Sequence, residues 1–562
     1  LTTGTTTENP SWFDQWLPGT KRRRIREYIT GYVMVFPATF LVFLFGIFPV
    51  GFALYVSMNK WRLKRSGFIG YENYTDAIGS LAYVALFALA VGSFLFAYLQ
   101  LKKLRRQAEE HGEKPWRFAI PGIVIAAAVA SFVRWTVLLL PEVLDIADKI
   151  VGQEKTAALF RSLLGEAFRA ESVLPAFWLT VVLLGAALAL EEIFRRIWRS
   201  PRTISYQAQF AILFLAIALG VLLFWFTYSQ ASLAYLEAIG TDTDTELWAQ
   251  IITISSGILL FIVAWFVWRS AKKAERTWSF ILRLLGAVML LGGGWLLIAE
   301  LPMVIAAGDD DVWSGLVITV FYSFGTVPFQ LAISLFLAIL LFQKLRGSEA
   351  LRMLFFLPYV TPAVASAAIF KQIFSARQQS LINQLFLALG LEPQRWLQEP
   401  NGVFALIAES QGIQIPGWMA GPSLALVVIM VYSIWVYVGY DTVIYLAGLG
   451  NISQELIEAA EIDGAGRWQV FRHIIFPLLS PTTYFLSLIA IIGTFKAFNH
   501  IWIMRHELSL GSVNTFSVTI FLEFFEKVRY GYASALAFVL FAIILGLTVL
   551  NNRIQGSRVF YG

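Results

Sequence analysis

The chain has 562 residues, no cysteine, four histidines and only 14% charged residues. The missing cysteines exclude disulfides, thiolate metal sites and cysteine nucleophiles, and leave the compartment open. No G-x-x-x-x-G-K-[ST] phosphate loop occurs, so the chain is not its own P-loop ATPase. His506-Glu507 has no second histidine at the spacing of a zinc-protease helix, and there is no G-x-S-x-G nucleophile elbow. Enzymes built on those motifs are ruled out. A net charge of +6 does not imply nucleic acid either, because the basic residues cluster beside apolar runs.

Apolar residues make up 58% of the chain, and mean hydropathy is +0.67. Runs long enough to cross a bilayer recur throughout, which predicts an all-α polytopic membrane protein. Twelve spans are read, near 32–57, 81–101, 118–140, 174–194, 207–229, 249–268, 280–305, 314–342, 351–374, 423–449, 482–504 and 534–551. Lys21-Arg22-Arg23-Arg24 precedes the first run in the manner of a signal peptide, but the run is too long for one and reads as a retained span. Cations set the orientation. Residues 102–117 carry six, 195–202 four, 269–283 five and the arm before Tyr32 five, whereas 230–248 and 306–313 carry none. This alternation predicts cytoplasmic termini. Residues 58–79 dissent, an external loop with Lys60, Arg62, Lys64 and Arg65.

Between two apolar runs lies EAAEIDGAGRWQVFRHIIFP, residues 458–477. Leu456 to Ile462 suits a short helix with Ser453 as N-cap. Asp463-Gly464 is a turn signal, and Trp468, Phe471 and Ile475 then share one helical face. A small-faced helix, a sharp turn and an amphipathic return helix fit insertion into a partner's groove; an ordinary surface hairpin is the plainer reading. Glu458, Ala459, Ala460, Asp463, Gly464, Ile474 and Pro477 resemble, in order, the EAA loop of permease subunits of binding-protein-dependent ABC importers. That resemblance implies a loop at 451–481 that couples to a separate ATPase in the cytoplasm.

The likeness extends through two blocks that resemble MalF-type permeases of carbohydrate importers. Residues 28–76 include FPATF from Phe36, FPVGFALYVSMNKW ending at Trp61 and FIGYENY from Phe68. Residues 309–555 include LRMLFFLPYVTP from Leu351, WLQEP from Trp396, IWVYVGYDTVIYLAGL before the loop and GYASALAFVLF from Gly531. The implied fold is a six-helix type I ABC importer permease core plus about six transmembrane helices inserted after the first core helix. The implied division is a cytoplasmic arm (1–31), the first core span with its external loop (32–79), an insert (80–308), the remaining core (309–555) and a cytoplasmic tail (556–562). The resemblance further implies a prokaryotic cytoplasmic membrane and transport of a sugar, oligosaccharide or polyol. Its partners would be a second, MalG-like permease, an ATPase dimer, an extracytoplasmic sugar-binding protein and membrane lipid, with no nucleic acid. No cofactor is expected on this chain, ATP and Mg being used by the ATPase. Two departures stand out: RHELSLGS from Arg505 replaces the family's usual external turn, and the insert replaces a water-exposed loop.

Charges within spans cost about 2.5–3.5 kcal/mol on insertion scales and usually face protein or water. Tyr437 and Asp441 lie one helical turn apart, and Lys496, Asn499 and His500 cluster in the next span. The family resemblance implies a sugar-facing set, with an Asp441–Lys496 ion pair as one arrangement; pairing among themselves or with a second permease is the alternative. Arg134, inside the third span, reads as a structural contact or a snorkelling side chain. Pro358 and Pro362 should break or kink the ninth span. Residues 141–172 alternate apolar and charged positions at helical spacing, as in an interfacial helix or a binding-protein contact. Two rival readings remain open, an ion-driven secondary transporter and a membrane scaffold or sensor. The first would call for two halves of similar design, and the EAA segment has no counterpart in the first half.

Overall fold

A computed structural model describes residues 19–197, 203–240, 247–271, 277–298, 308–343 and 347–555. Most of the N-terminal arm and the tail 556–562 lie outside the described residues. The chain divides into two compact units, residues 1–79 with 306–562, and residues 80–305.

The first unit begins with α1 (Gly19–Val42), which runs through a π-helical turn at Phe43–Ile47 into α2 (Phe48–Ser57). A β-hairpin, Asn59–Trp61 with Arg65–Phe68, and a short helix α3 (Glu72–Ile78) follow. The four dissenting cations therefore decorate a folded hairpin rather than an open loop. Asn73 fixes it by donating from Nδ2 to the carbonyls of Ser57 at 2.8 Å and Asn59 at 3.3 Å.

The second unit consists of α4 (Leu81–Glu110), α5 (Ala119–Leu144), α6 (Ala157–Arg169), α7 (Val173–Ile197), α8 (Thr203–Gly240), α9 (Leu247–Ala271) and α10 (Thr277–Ile298). All but α6 are long and apolar enough to span a membrane, which accounts for each of the six runs read between 81 and 305. They pack as α4 and α5 on α8, α5 on α7, and α9 on α10. Small residues permit close backbones, as in membrane bundles. A Cβ on Gly122 would lie 2.4 Å from that of Phe210, and one on Gly257 3.0 Å from the Gly294 carbonyl oxygen. The amphipathic segment forms α6, whose Phe168 packs 6.2 Å from Trp135 of α5. Arg134 stands on the exposed face of α5 beside Val133 and has no ion pair among the described residues.

The first unit resumes with α11 (Asp310–Phe342), α12 (Ser348–Val360), α13 (Ala363–Ile373), α14 (Leu381–Ala388), α15 (Val403–Ser410) and α16 (Leu424–Gly450). The segment read as the coupling loop holds α17 (Gln454–Ile462) and α18 (Arg467–Val470). Then come α19 (Ser480–Phe495), α20 (Asn499–Met504), α21 (Phe516–Phe521) and α22 (Tyr530–Gln555). Tyr532 donates to Asp309 Oδ2 at 2.7 Å, bringing the starts of α11 and α22 together. Beside them Glu523, 1% exposed, accepts from Lys527 at 2.7 Å and Arg529 at 3.2 Å, and that contact with Glu523 raises the Lys527 pKa.

The described residues hold ten helices able to span, plus three bent pairs. Two expected spans are therefore not continuous. Residues 351–374 turn by 94° between α12 and α13. The break falls at Thr361-Pro362, where Thr361 is extended because the following proline ring excludes its helical conformation; Pro358 lies inside α12 without ending it. Residues 482–504 split at Lys496–Phe498, where Phe498 leaves helical geometry at φ −139°. The other two bent pairs are Arg467–Leu478 with Ser480–Phe495, at 62°, and Glu507–Val513 with Phe516–Glu526, at 114°, the latter within the stretch not read as a span.

Candidate translocation path and coupling loop

The loop helix α17 starts after extended Ser453, whose side chain makes no cap bond. It ends in a Schellman arrangement: Ala465 N–H donates to the Ala460 carbonyl at 2.9 Å and Gly464 N–H to that of Glu461 at 3.0 Å. This closure needs a left-handed residue, and Gly464 has φ +85°. Gln469 Oε1 then accepts from Gly466 N–H at 2.7 Å, starting the return helix. Trp468 and Phe471 pack at 5.3 Å, and Ile475 packs on the cluster of Tyr445, Leu449 and Leu479 that anchors the loop to α16 and α19. Glu458, Ala459, Asp463 and Gly464 are exposed, and Ala460, Ile474 and Pro477 are half-buried. Leu456, Ile462 and Trp468 are 50%, 86% and 67% exposed. An apolar surface of this kind on a polar turn suits a protein partner.

The five polar residues read from the spans do not form one set. Asp441 is buried on α16, and its Oδ2 accepts from Gln330 Nε2 of α11 at 3.0 Å. The Asp441–Lys496 ion pair is not formed among the described residues, and Lys496 and Asn499 lie exposed beside the break before α20. A buried carboxylate is held by the nearest donor its packing provides, and that donor is an amide on the neighbouring helix. His500 is also buried, with Nε2 2.8 Å from Tyr322 Oη, which is 2.6 Å from Ser433 Oγ. One hydroxyl thereby joins α11, α16 and α20. Tyr432 extends the polar contacts to α13, its hydroxyl 2.7 Å from Ser366 Oγ.

Tyr437 is 38% exposed and belongs to an aromatic cluster at the Pro362 break. Tyr359, 41% exposed, stacks on Tyr440 at 4.5 Å and meets Tyr437 edge-on at 6.0 Å. The crossing of α12 over α16 depends on Gly439, where a Cβ would lie 1.8 Å from the Phe355 carbonyl oxygen. Sequence reading missed Tyr359, Tyr440 and Gln330. Tyr359 follows Pro358, already noted as a break signal, whereas Tyr440 and Gln330 gave no local signal.

Residues 330–557 match the family described as binding-protein-dependent transport system inner membrane component, a stretch wholly inside the first unit. The chain is 29% identical to the arabinooligosaccharides transport system permease protein AraP of Bacillus subtilis, over 45% of this chain and 74% of that protein. It is 29% identical to the lactose transport system permease protein LacF of Rhizobium radiobacter, over 43% and 76%. With the sn-glycerol-3-phosphate transport system permease protein UgpA of Rhizobium meliloti the identity is 30%, over 45% and 79%. Broken spans, a buried polar core and an exposed helical loop thus coincide with the matched stretch, and the chain belongs to the family of binding-protein-dependent transport system inner membrane components, as a permease subunit of an ABC importer.

Proposed function

We propose that this permease imports a sugar, oligosaccharide or polyol, forms half of the translocation path, and receives ATP-driven motion through residues 451–481. The reading rests above all on the loop closed at Gly464, whose exposed Leu456, Ile462 and Trp468 offer a partner an apolar surface set among Glu455, Glu458 and Glu461. Glu458, Ala459, Ala460, Asp463, Gly464, Ile474 and Pro477 are its coupling residues. The partners are a second, MalG-like permease, a dimer of ATPases that use ATP and Mg, and an extracytoplasmic binding protein. ATPase closure moves the loops, the spans change the side they open to, and the binding protein releases its cargo into the path. The location is a prokaryotic cytoplasmic membrane with both termini inside.

Support for a carbohydrate cargo comes from the arabinooligosaccharide and lactose relatives and from the tyrosines at the break. Tyr359, Tyr437 and Tyr440 present apolar ring faces with hydroxyl tips, a chemistry suited to sugar C–H faces and hydroxyls. Lys496 and Asn499 supply exposed donors, while Asp441 and His500 position the helices that carry these groups. The test is purification of the tagged chain in mild detergent beside Glu458→Lys. Recovery of a P-loop ATPase and a second permease with the normal chain, and loss of the ATPase with the variant, is expected. A chain that purifies alone in both forms, stable and monodisperse, refutes the reading.

A further inference from the structure

Helix α20 has six residues, too few for a helix to hold itself by its own hydrogen bonds. Its place is set by what packs around it. Ile501 and Met504 are fully buried in the cluster that also holds Ala367 of α13, and His500 reaches Tyr322 of α11. The far end of α20 is different. Arg505 is extended at ψ 150°, so the helix stops there and its last carbonyls find no N–H group within the helix.

Lys371, near the end of α13, meets that need. Its Nζ donates to the Ile503 carbonyl at 2.9 Å and to the Arg505 carbonyl at 3.1 Å. The side chain is half-buried and has no carboxylate within ion-pair distance among the described residues. Together α12 and α13 have the length and hydropathy of a span, and a cation in such a segment is costly unless it faces protein or water. Here the charge is spent on two backbone oxygens of another broken span. A charge-assisted bond of this kind is stronger than one between neutral groups. The two spans are thereby joined beyond their breaks. One carries Tyr359 just before its bend, and the other carries Asn499 as the first residue of α20.

We propose that Lys371 is a positioning residue for the cargo site: it fastens the two broken spans to each other and so fixes where Asn499 stands relative to Tyr359. Lys371 acts through α20. The inference rests on the importer reading above, which gives the exposed donors and the tyrosines to the cargo, and it adds the residue that sets their spacing.

The sequence contains no cysteine, so spin labels can be placed at two introduced ones, Val364→Cys on α13 and Asn499→Cys on α20, in the full-length chain in lipid nanodiscs. Double electron–electron resonance should give one narrow distance distribution for this pair. Lys371→Met keeps the length of the stem and removes the donors, and should shift and broaden that distribution. Lys371→Arg, whose guanidinium can donate to the same carbonyls, should restore the narrow one. A control pair on the exposed Val317→Cys of α11 and Val443→Cys of α16 should stay narrow throughout. A 364–499 distribution that Lys371→Met leaves unchanged would overturn the proposal. So would broadening of both pairs, which would make Lys371 a residue of general stability. Neither ATPase nor cargo enters the measurement. An unchanged distribution therefore removes the joint and leaves the importer reading standing, whereas a chain that purifies without an ATPase removes that reading and leaves the joint.

Discussion

The two units solve the same membrane problem in different ways. Residues 80–305 form six unbroken spanning helices held by small residues and a few hydroxyl contacts, such as Ser131 Oγ to Thr180 Oγ1 at 2.9 Å. In the other unit all three bent pairs occur, and the buried groups include Gln330, Asp441, His500 and Glu523. Broken helices and buried polar groups cost stability in a bilayer unless they are satisfied internally. Their concentration in the unit that carries the family match sets that unit apart from the other.

The largest effect should come from the coupling turn. At Gly464 nothing lies within 4 Å of an added Cβ, so its restriction is conformational rather than steric. A side chain at positive φ costs about 1–2 kcal/mol, more when β-branched. Gly464→Val should therefore remove ATP-driven uptake while the chain still inserts, whereas Gly464→Asn, which tolerates left-handed geometry, should retain much of it. Uptake into proteoliposomes containing the whole complex decides the matter. Equal uptake by the valine variant would show that the turn does not transmit motion.

A smaller effect is expected at the Gln330–Asp441 contact. Gln330→Leu leaves a buried carboxylate without its amide donor, which should destabilise the chain by about 1–3 kcal/mol. The readout is thermal melting in detergent. Adding Asp441→Asn to Gln330→Leu should recover part of the loss, because a neutral amide is cheaper to bury than a carboxylate. Failure to recover would mean that Gln330 acts through its packing alone. Substituting Thr180 by Val in the other unit removes one hydroxyl pair and should lower melting less.

Much of this contrast was legible in residue order. Apolar runs placed the spans, Asp463-Gly464 placed the turn, and Pro362 placed one break because its ring acts on the residue before it. The break at Lys496–Phe498 was not legible, because no proline or glycine falls within it. The Asp441–Lys496 pairing failed for a related reason. Charge alone suggested a cation, whereas the true donor, Gln330, stands 111 residues earlier on a helix brought alongside only by the fold. Likewise Tyr359 and Tyr440 are ordinary span aromatics until the close crossing of α12 over α16 at Gly439 stacks them.

The smallest effect should follow the largest change. Within the first unit, Asp309 N–H donates to the Ala77 carbonyl at 3.3 Å. If residues 80–305 are removed, residues 78, 79 and 306–308 remain to connect that bonded pair, a length ordinary for a tight connection. Among the described residues, the helices of the first unit form their own clusters, Val312, Phe516 and Leu536 in one and Tyr322, Ile429 and Met504 in another. The shortened chain should consequently insert, co-purify with its ATPase and support uptake close to that of the full chain. Loss of uptake with the ATPase still bound would reverse the comparison: the unbroken helices would then belong to the transport cycle, and their small-residue contacts at Gly122 and Gly257 would be moving surfaces rather than fixed ones.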